Sequence, residues 1–493
     1  MAQLIDSNHH ASLSDYERIA HLSNDVRDLR DEAEMLLPKL QGRRVWMVNS
    51  TAHGGGVAEL LPPLITMLRE LGVDANWLVM ESDEDEFFRL TKQIHNLIHG
   101  AGDPDLGNGA QALYEKVSHS VAARLAEFVK PNDVLVIHDP QPLGAGALLR
   151  ERMDLTAIWR CHIGLDEETP ETIAAWEFLE QWAVKYDHTV FTAPEYIPRC
   201  LAGRASIIHP SIDPLSNKNR DLPVHKLAGI LANGGLITAT GPTLTPPFEE
   251  RAQRLQRNGE WAPATEPEDL GLLFRPIVTQ VSRWDRLKGW LPLMQGFVKM
   301  KEALKANTLS EEERRPLELA RLVLAGPDPE SVTDDPEGLE ALQEVIDTYL
   351  SLDADLQNAI AVISLPMTSP KNNALIVNAL QRCSDIVVQN SVREGFGLTV
   401  TEAMWKRAAI VGSPAAGLRQ QIRPDLDGRL VKDAHDTDDI ARTLTELLLD
   451  QEHRDAFGLS AQQRVHNEFL VFAHVRNWLR VLAETLDGRA AAA

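Results

Sequence analysis

The sequence predicts an α/β protein built from two Rossmann-like domains, and three observations support that prediction. Short apolar runs of the kind that form buried parallel strands recur along the chain, with helical stretches between them. Turns that contain glycine follow several of these runs. A stretch rich in glycine and proline, 233–274, separates two such alternations, and 493 residues are too many for one hydrophobic core.

The first alternation follows a polar, acidic segment, 1–42, which we predict to be an N-terminal helical extension with its helix over 14–40. The first Rossmann-like domain is then predicted over 43–232. Its predicted strands are Arg43–Asn49, Asn76–Met80, Asp133–Asp139, Thr156–Gly164, Tyr186–Ala193 and Ser206–Pro210.

The second alternation follows 233–274, which is predicted to be a linker or an insertion, and gives a second Rossmann-like domain over 275–465. Residues 466–493 are predicted to form a last helix with an apolar stripe. The predicted strands are Pro276–Val281, Leu322–Gly326, Ala359–Leu365, Ile386–Gln389 and Ala409–Gly412.

The composition argues against a nucleic-acid or membrane partner. The net charge is −23, which repels polyanions and anionic bilayers, and no apolar run approaches the ~18–20 residues of a membrane span. The first residues lack the basic start and apolar core of a signal peptide. Three widely spaced cysteines fit reduced thiols and no metal site. We therefore expect a cytoplasmic protein, and we expect it to be a homodimer.

The stretch 385–406 carries the strongest functional pattern. A buried strand is followed by a polar turn with Gly395 and Gly397 and then by a helix, the order that forms a ligand crevice in an open α/β sheet. Glu394 in the turn and Glu402 in the helix could hold two parts of one ligand, since a carboxylate accepts hydrogen bonds from vicinal hydroxyls. The alternative is a pair of solvated carboxylates.

Two further turns are candidates for binding phosphate. Gly54, Gly55 and Gly56 follow a strand and precede a helix, although a glycine turn serves any such unit. Arg283 and Lys288 follow another predicted strand and could neutralise a diphosphate, unless they are ordinary surface cations.

Polar side chains also end two buried strands of the first domain. His138, Asp139 and Gln141 follow one strand, and Arg160 and His162 lie at the end of the next. The carboxyl ends of parallel strands are where sites form in such sheets. A strand-end histidine with its hydrogen bonds satisfied is the alternative.

Several of these motifs resemble one protein family. The stretch 391–406, with its Glu-x7-Glu spacing, resembles the donor site of retaining glycosyltransferases that have two Rossmann-like domains (the GT-B fold), and is most similar to the trehalose synthase group of family 4. Four other stretches also resemble this group: 49–60, 138–141, 210–219 and 280–288. The resemblance implies two domains that face a central cleft, with the last helix crossing back to the N-terminal domain.

The resemblance also implies a role for each candidate residue. Nucleoside-diphosphate glucose would bind mainly to the C-terminal domain, with UDP, ADP and GDP all open. Glu402 would hold the ribose, and Glu394 would hold the glucosyl hydroxyls. The expected donor-binding residues are Gly54, Gly55, Gly56, Gly395, Phe396, Gly397, Leu398 and Glu402, and the expected catalytic residues are Arg283, Lys288, Glu394 and His138.

The acceptor side is implied in the same way. Asp139, Gln141, Arg160 and His162 would bind glucose, which gives trehalose with the anomeric configuration retained. Gly164 departs from the group, which usually carries an acid there. No cofactor or metal ligand is implied, and dependence on Mg²⁺ stays open. The alternatives are a retaining trehalose phosphorylase that uses glucose 1-phosphate, and a catalytically silent sugar-binding or regulatory protein.

Overall fold

The protein is described by a computed structural model that covers residues 2–5, 11–52, 56–82, 84–239, 241–244, 247–265, 270–304, 309–328 and 336–492. The chain folds into two compact units. Unit 1 consists of Met1–Asp213 and Glu468–Ala493, and unit 2 consists of Pro214–Asn467.

Unit 1 contains one sheet, which has seven strands within the described residues: β1 (Ala2–Ile5), β2 (Val45–Asn49), β3 (Ala75–Met80), β4 (Val134–His138), β5 (Thr156–Arg160), β6 (His188–Phe191) and β7 (Ala205–Ile207). Their order is β1-β3-β2-β4-β5-β6-β7. β1 is antiparallel to β3, and the other neighbours are parallel. The order reverses direction between β2 and β4, so these two strands form the topological switch point of the sheet.

The helices of unit 1 lie between these strands, as a doubly wound fold requires. In chain order up to residue 213 they are α1 (Leu13–Glu17), α2 (Ser23–Leu40), α3 (Gly56–Glu70), α4 (Asp85–Ile98), α5 (Ala110–Phe128), α6 (Leu143–Arg152) and α7 (Pro170–Ala183).

Unit 2 contains the second sheet, which has eight strands within the described residues: β8 (Gln253–Leu255), β9 (Trp261–Pro263), β10 (Ile277–Val281), β11 (Arg321–Pro327), β12 (Ile360–Leu365), β13 (Ile386–Gln389), β14 (Ala409–Gly412) and β15 (Gly428–Leu430). Their order is β15-β14-β13-β10-β11-β12-β8-β9. β10 to β15 are parallel, and the switch point lies between β13 and β10.

The helices of unit 2 are α8 (Val224–Asn233), α9 (Trp290–Ala303), α10 (Glu311–Leu319), α11 (Pro336–Leu350), α12 (Ala354–Ala359), α13 (Pro370–Arg382), α14 (Leu398–Trp405), α15 (Ala416–Gln421), α16 (Thr437–Leu449) and α17 (Gln451–Glu468). Two mainly parallel sheets with helices between their strands match the predicted pair of Rossmann-like domains. No helix in the described ranges is both long and apolar enough to cross a bilayer.

The N-terminal segment differs from the single helix predicted over 14–40. It contributes the edge strand β1 and two helices, α1 and α2. The backbone N–H of Ser12 donates to the Asp15 carboxylate (2.9 Å), which starts α1. The chain turns again at Ile19, whose carbonyl accepts from the N–H groups of Leu22 (2.8 Å) and Ser23 (3.1 Å).

The described part of 233–274 contributes two strands to unit 2. β8 and β9 form an antiparallel hairpin that extends the sheet at β12. Unit 2 begins at Pro214 and not at 233, because α8 packs on α13 and buries Ile230 and Leu231 in the same core as Ile376.

The last helix, α18 (Val471–Ala492), belongs to unit 1. It packs on α2 and α3, and Leu470 just before it forms a parallel bridge with Ile212. Leu479 and Leu482 are fully buried. The helix therefore completes the core of a unit whose other residues precede it by more than two hundred positions.

We expect Leu482→Ala to lower the free energy of unfolding by about 2–5 kcal/mol, because the lost side chain leaves a cavity in the core of unit 1. Glu484→Ala removes an exposed side chain from the same helix and should change stability by less than about 0.5 kcal/mol. Thermal and urea unfolding measure both variants. Equal stability of the two would show that α18 is not part of the core.

Candidate active site

The switch point of unit 2 brings together two loops that carry charged side chains. One loop, 282–289, follows β10 and the other, 390–397, follows β13, the strand beside it. Both loops start at the carboxyl ends of parallel strands, where ligands bind in open α/β sheets. The sequence-predicted residues Arg283, Lys288 and Glu394 are on these loops.

Lys288 and Glu394 form an ion pair at this crevice. Nζ of Lys288 donates to Oε2 of Glu394 at 2.7 Å, and the side chains are only 16% and 12% exposed. The same carboxylate oxygen accepts from the hydroxyl of Ser391 at 2.8 Å. A cation and an anion held together in a largely dry crevice can bind complementary parts of one polar ligand. Arg283 lies in the same loop as Lys288, and its side chain is exposed.

A buried glutamine fixes the spacing of the two loops. Gln280 is the penultimate residue of β10; its Nε2 donates to the carbonyl of Lys288 at 2.8 Å, and its Oε1 accepts from the N–H of Asn390 at 3.0 Å. The side chain of Asn390 in turn donates to the carbonyls of Gly289 (3.2 Å) and Ala434 (2.8 Å). We did not identify Gln280 or Asn390 from the sequence. The available signal was the amide side chain near the end of an otherwise apolar strand.

The glycine turn of 395–398 is held against α15. The side chain of Gln421 donates to the carbonyls of Phe396 and Gly397, the latter at 3.2 Å. Gly397 has φ +85°, which suits glycine. A Cβ on Gly417 would lie 2.5 Å from the backbone of Phe396, so the two segments touch main chain to main chain. Leu398 begins α14 directly after this turn.

Glu402 occupies a different environment from Glu394. Its side chain is 5% exposed, and Oε1 lies 3.6 Å from Nζ of Lys218. Oε2 is buried and has no hydrogen-bond partner among the residues that the structure describes. Nζ of Lys406 donates to the main-chain carbonyl of Glu402 at 2.9 Å. One ammonium, that of Lys218, therefore lies beside the carboxylate, while a second binds the main chain of the same residue.

The switch point of unit 1 lies between β2 and β4. The predicted phosphate turn follows β2, and of its glycines only Gly56, the first residue of α3, falls within the described residues; Gly54 and Gly55 lie outside them. After β4, the structure places His138 against His162 from the end of β5, with Nδ1 of His138 3.0 Å from Nε2 of His162 and the rings stacked.

Burial favours the uncharged form of these histidines. Nε2 of His138 lies 3.5 Å from the sulfur of Met47, an acceptor, and in a neutral ring that donates there Nδ1 accepts from His162. His474 on α18 donates from Nδ1 to the carbonyl of His209 (2.8 Å) and accepts from Trp478 (3.1 Å). Burial lowers the pKa of His138 to about 3 and of His474 to about 4, and Arg160 contributes to both.

Arg160 is completely buried beneath this cluster. Its Nη2 donates to the hydroxyl of Thr192 (3.1 Å) and to the carbonyl of Ile208 (2.7 Å). In the described part of the chain, its Nε and Nη1 have no hydrogen-bond partner. Burial lowers the pKa of Arg160 to about 10. Contact with an acceptor therefore stays a prediction for Arg160, whose contacts are those of a residue that braces the cluster.

Asp139 and Gln141 continue the same edge. Asp139 has φ +64°, and its Oδ1 accepts from the N–H of His162 at 2.9 Å, which ties the two strand ends together. Burial raises the pKa of Asp139 to about 6. Oε1 of Gln141 is buried, and the described residues offer it no hydrogen-bond donor.

No group of three or more His, Cys, Asp or Glu among the described residues is arranged to hold a metal ion.

The glycine at position 164 has a local structural cause. A Cβ on Gly164 would lie 2.1 Å from Cγ of Tyr196, whose side chain is buried against this position. An acidic side chain cannot occupy position 164 while Tyr196 keeps this place. This edge of the sheet therefore has an aromatic ring where the resemblance led us to expect a carboxylate.

Two protein families match the sequence. Residues 47–198 match the family described as trehalose synthase, N-terminal domain, and residues 276–464 match glycosyl transferases group 1. The first match includes His138 and His162, and the second includes Lys288 and Glu394. Each family therefore covers one of the two switch points.

Similar proteins agree with these families. A trehalose synthase of Pyrococcus horikoshii is 33% identical over 473 residues, 95% of each chain. A trehalose phosphorylase of Pleurotus sajor-caju is 25% identical over 461 residues, 88% of this chain and 57% of that protein. The crystal structure of an α,α-trehalose-phosphate synthase (UDP-forming) from Burkholderia vietnamiensis matches with TM-score 0.64 at 16% identity, covering 91% of this chain and 99% of the other. This likeness confirms the predicted fold class.

We expect Gly289→Ala to destabilise unit 2 strongly. The residue has φ +62°, and an added Cβ would lie 2.0 Å from the carbonyl oxygen of Asn390, so the two loops must separate. Gly259→Ala is the matched control, because Gly259 has φ +85° and an added Cβ there would make only an ordinary contact at 3.5 Å. This variant should lose only the cost of a left-handed backbone, about 1–2 kcal/mol. Thermal unfolding compares the two, and equal losses would contradict the close approach of the loops.

We expect stability to fall as the pH is lowered from about 6.5 towards 4. The buried histidines stay neutral in the folded state, whereas in the unfolded chain they bind protons below about 6.5. The raised pKa of Asp139 acts in the opposite direction between about 3.8 and 6, but His138 and His474 together outweigh it.

Urea unfolding at pH 7, 6, 5 and 4 measures the slope of the free energy of unfolding against pH. His138→Gln should make the dependence of stability on pH shallower, because one buried histidine is removed. An unchanged slope in His138→Gln would contradict the neutral assignment.

Proposed function

The chain belongs to the trehalose synthase family of glycosyltransferases, and from that premise we propose that it transfers glucose from a nucleoside-diphosphate glucose to glucose, reversibly forming trehalose with retention of anomeric configuration. The observation that supports the proposal best is the Lys288–Glu394 pair at the switch point of unit 2. It offers a cation for a phosphate and a carboxylate for sugar hydroxyls within 2.7 Å of each other.

Lys288 and Arg283 are assigned to the diphosphate. As the bond between the anomeric carbon and the phosphate oxygen breaks, negative charge develops on that oxygen. Fixed cations stabilise this charge. Lys288 already has its main chain fixed by Gln280, so little reorganisation is needed when the donor binds. These cations take the place that a metal ion has in other phosphate sites.

Glu394 is assigned to the transferred glucose. Its carboxylate accepts from sugar hydroxyls, and the backbone N–H groups of Phe396 and Gly397, at the start of α14, are assigned to the same ligand. The rigid turn made by Gln421 and Gly417 favours this role, because a site that does not move on binding loses less entropy.

The proposed reaction balances without a protein nucleophile. The acceptor hydroxyl forms a bond to the anomeric carbon on the face from which the diphosphate leaves, which retains the configuration. The carbon–oxygen bond to the phosphate breaks, and the hydroxyl proton passes to the departing phosphate oxygen. The protein contributes positioning and charge stabilisation.

Unit 1 is assigned to the sugar acceptor through His138, Asp139, Gln141 and His162. The neutral state of its histidines supports this assignment, since an uncharged sugar is bound by neutral donors and acceptors without the desolvation cost of an ion. Arg160 would hold these residues in place from below.

A phosphorylase that uses glucose 1-phosphate is the second candidate, favoured by the similarity to the Pleurotus enzyme. The same cations would then bind phosphate. A silent sugar-binding protein is the third, and the presence of Arg283, Lys288 and Glu394 argues against it.

Product analysis decides among the three. The protein is incubated with glucose and, separately, UDP-, ADP- or GDP-glucose or glucose 1-phosphate, and NMR identifies the product and its anomeric configuration. Trehalose formed from a nucleotide donor with retention of the anomeric configuration supports the proposal. Trehalose from glucose 1-phosphate alone would make the protein a phosphorylase, and no product from any donor would leave the silent alternative.

Lys288→Ala and Arg283→Ala should each lower kcat by about 10²–10³-fold, because one charge-stabilising group is typically worth ~2.7–4 kcal/mol. Lys299→Ala is the control, since this lysine forms an exposed ion pair with Asp438 at 2.7 Å elsewhere in unit 2. Steady-state kinetics with the active donor measures all three, and circular dichroism checks their fold. Wild-type turnover in Lys288→Ala or Arg283→Ala would remove the diphosphate role from that residue.

A further inference from the structure

A short segment of unit 2, 214–221, which we call the strap, runs across α13 and is held there through its main chain. The side chain of Asn378 donates to the carbonyls of Asn217 (3.0 Å) and Arg220 (2.9 Å). Nη2 of Arg382, one turn later, donates to the same Arg220 carbonyl at 3.1 Å. The backbone of the strap therefore has a fixed position on the helix.

Lys218 on the strap lies beside the Glu402 carboxylate. Its Nζ is 3.6 Å from Oε1, an ion pair rather than a hydrogen bond, and its side chain is 35% exposed against 5% for Glu402. On the other side, Nζ of Lys406 donates to the Glu402 carbonyl (2.9 Å) and to the side chain of Asn219 (3.2 Å). Because Lys218 is the more exposed partner of the ion pair, it lies on the solvent side of the carboxylate.

The Glu402 carboxylate has unused acceptor capacity. Oε2 is buried without a hydrogen-bond partner among the described residues, which costs the folded state free energy until a donor arrives. Two neighbouring hydroxyls would supply one donor for each carboxylate oxygen. A hydroxyl oxygen that gives its hydrogen to Glu402 still accepts, and the ammonium of Lys218 has only donors.

We propose that Lys218 is a specificity-determining residue of the donor site, which turns from Oε1 of Glu402 to the oxygens of the ribose hydroxyls when those hydroxyls bind the carboxylate. This inference rests on the proposed nucleotide donor. It assigns ribose recognition to a carboxylate and an ammonium from two separate segments, α14 and the strap. It also explains why a flexible side chain is placed on a rigid backbone.

The test measures binding by isothermal titration calorimetry. The probes are the nucleoside diphosphate that the wild type binds best among UDP, ADP and GDP, and its 2′,3′-dideoxy counterpart. Lys218→Met should weaken binding of the ribonucleotide about tenfold or more, with much less effect on the dideoxy form, and Lys218→Arg should recover most of the loss. Lys226→Met, an exposed lysine on α8, is the control and should bind like the wild type.

Two results overturn the inference: unchanged ribonucleotide binding in Lys218→Met, or an equal loss for both probes. A general structural defect would weaken binding of both probes alike, so the comparison of the two probes separates such a defect from lost ribose recognition. Glu402→Gln should cancel most of the Lys218 effect, because the hydroxyls then lose the acceptor that orients them. If the wild type binds none of the three nucleotides, the proposed nucleotide donor is wrong. If the wild type binds one of them and Lys218→Met binds it equally well, only the inference about Lys218 is wrong.

Discussion

The candidate donor site depends on one buried amide, that of Gln280. An amide has a donor and an acceptor at opposite ends of one flat group, and here each end is bonded to the main chain of a different loop. The hydrogen bonds of Gln280 therefore fix the two loops that carry Lys288 and Glu394, independently of the attraction between the two side chains. This matters because a largely buried ion pair gains little net stability once its desolvation is counted. The pair can give up part of its mutual interaction to a ligand at low cost.

The two switch points of the molecule use opposite electrostatic solutions. Unit 2 has an ion pair, Lys288 and Glu394, on the two loops at its switch point. Unit 1 keeps three histidines, His138, His162 and His474, neutral by desolvation and by the nearby Arg160 guanidinium. Charged groups suit a phosphorylated donor, and neutral ones suit a sugar without charge. The contrast between the units is thus consistent with the division of labour that we propose.

Local patterns were enough to predict most of the parallel strands, the glycine turn and the loops of Lys288 and Glu394. These features depend on residues that are neighbours in sequence. The edge strand β1 and the hairpin β8–β9 were missed because three- and four-residue strands have too few positions for a periodicity. Gln280, Asn390 and His474 were missed for another reason: their partners are distant in sequence, and a single polar residue does not identify its partner. The ion partner of Glu402 likewise comes from the strap, which no pattern around Glu402 predicts.

The chain order of the two units has a consequence for biosynthesis. Unit 2 is one continuous stretch, whereas unit 1 lacks α18 until residues 468–493 have been made. The apolar surface that Trp478, Leu479 and Leu482 cover therefore stays exposed in the first 213 residues while the whole of unit 2 is being synthesised. Unit 1 comes first in the chain but cannot complete its core first, unlike domains that fold in their order of synthesis.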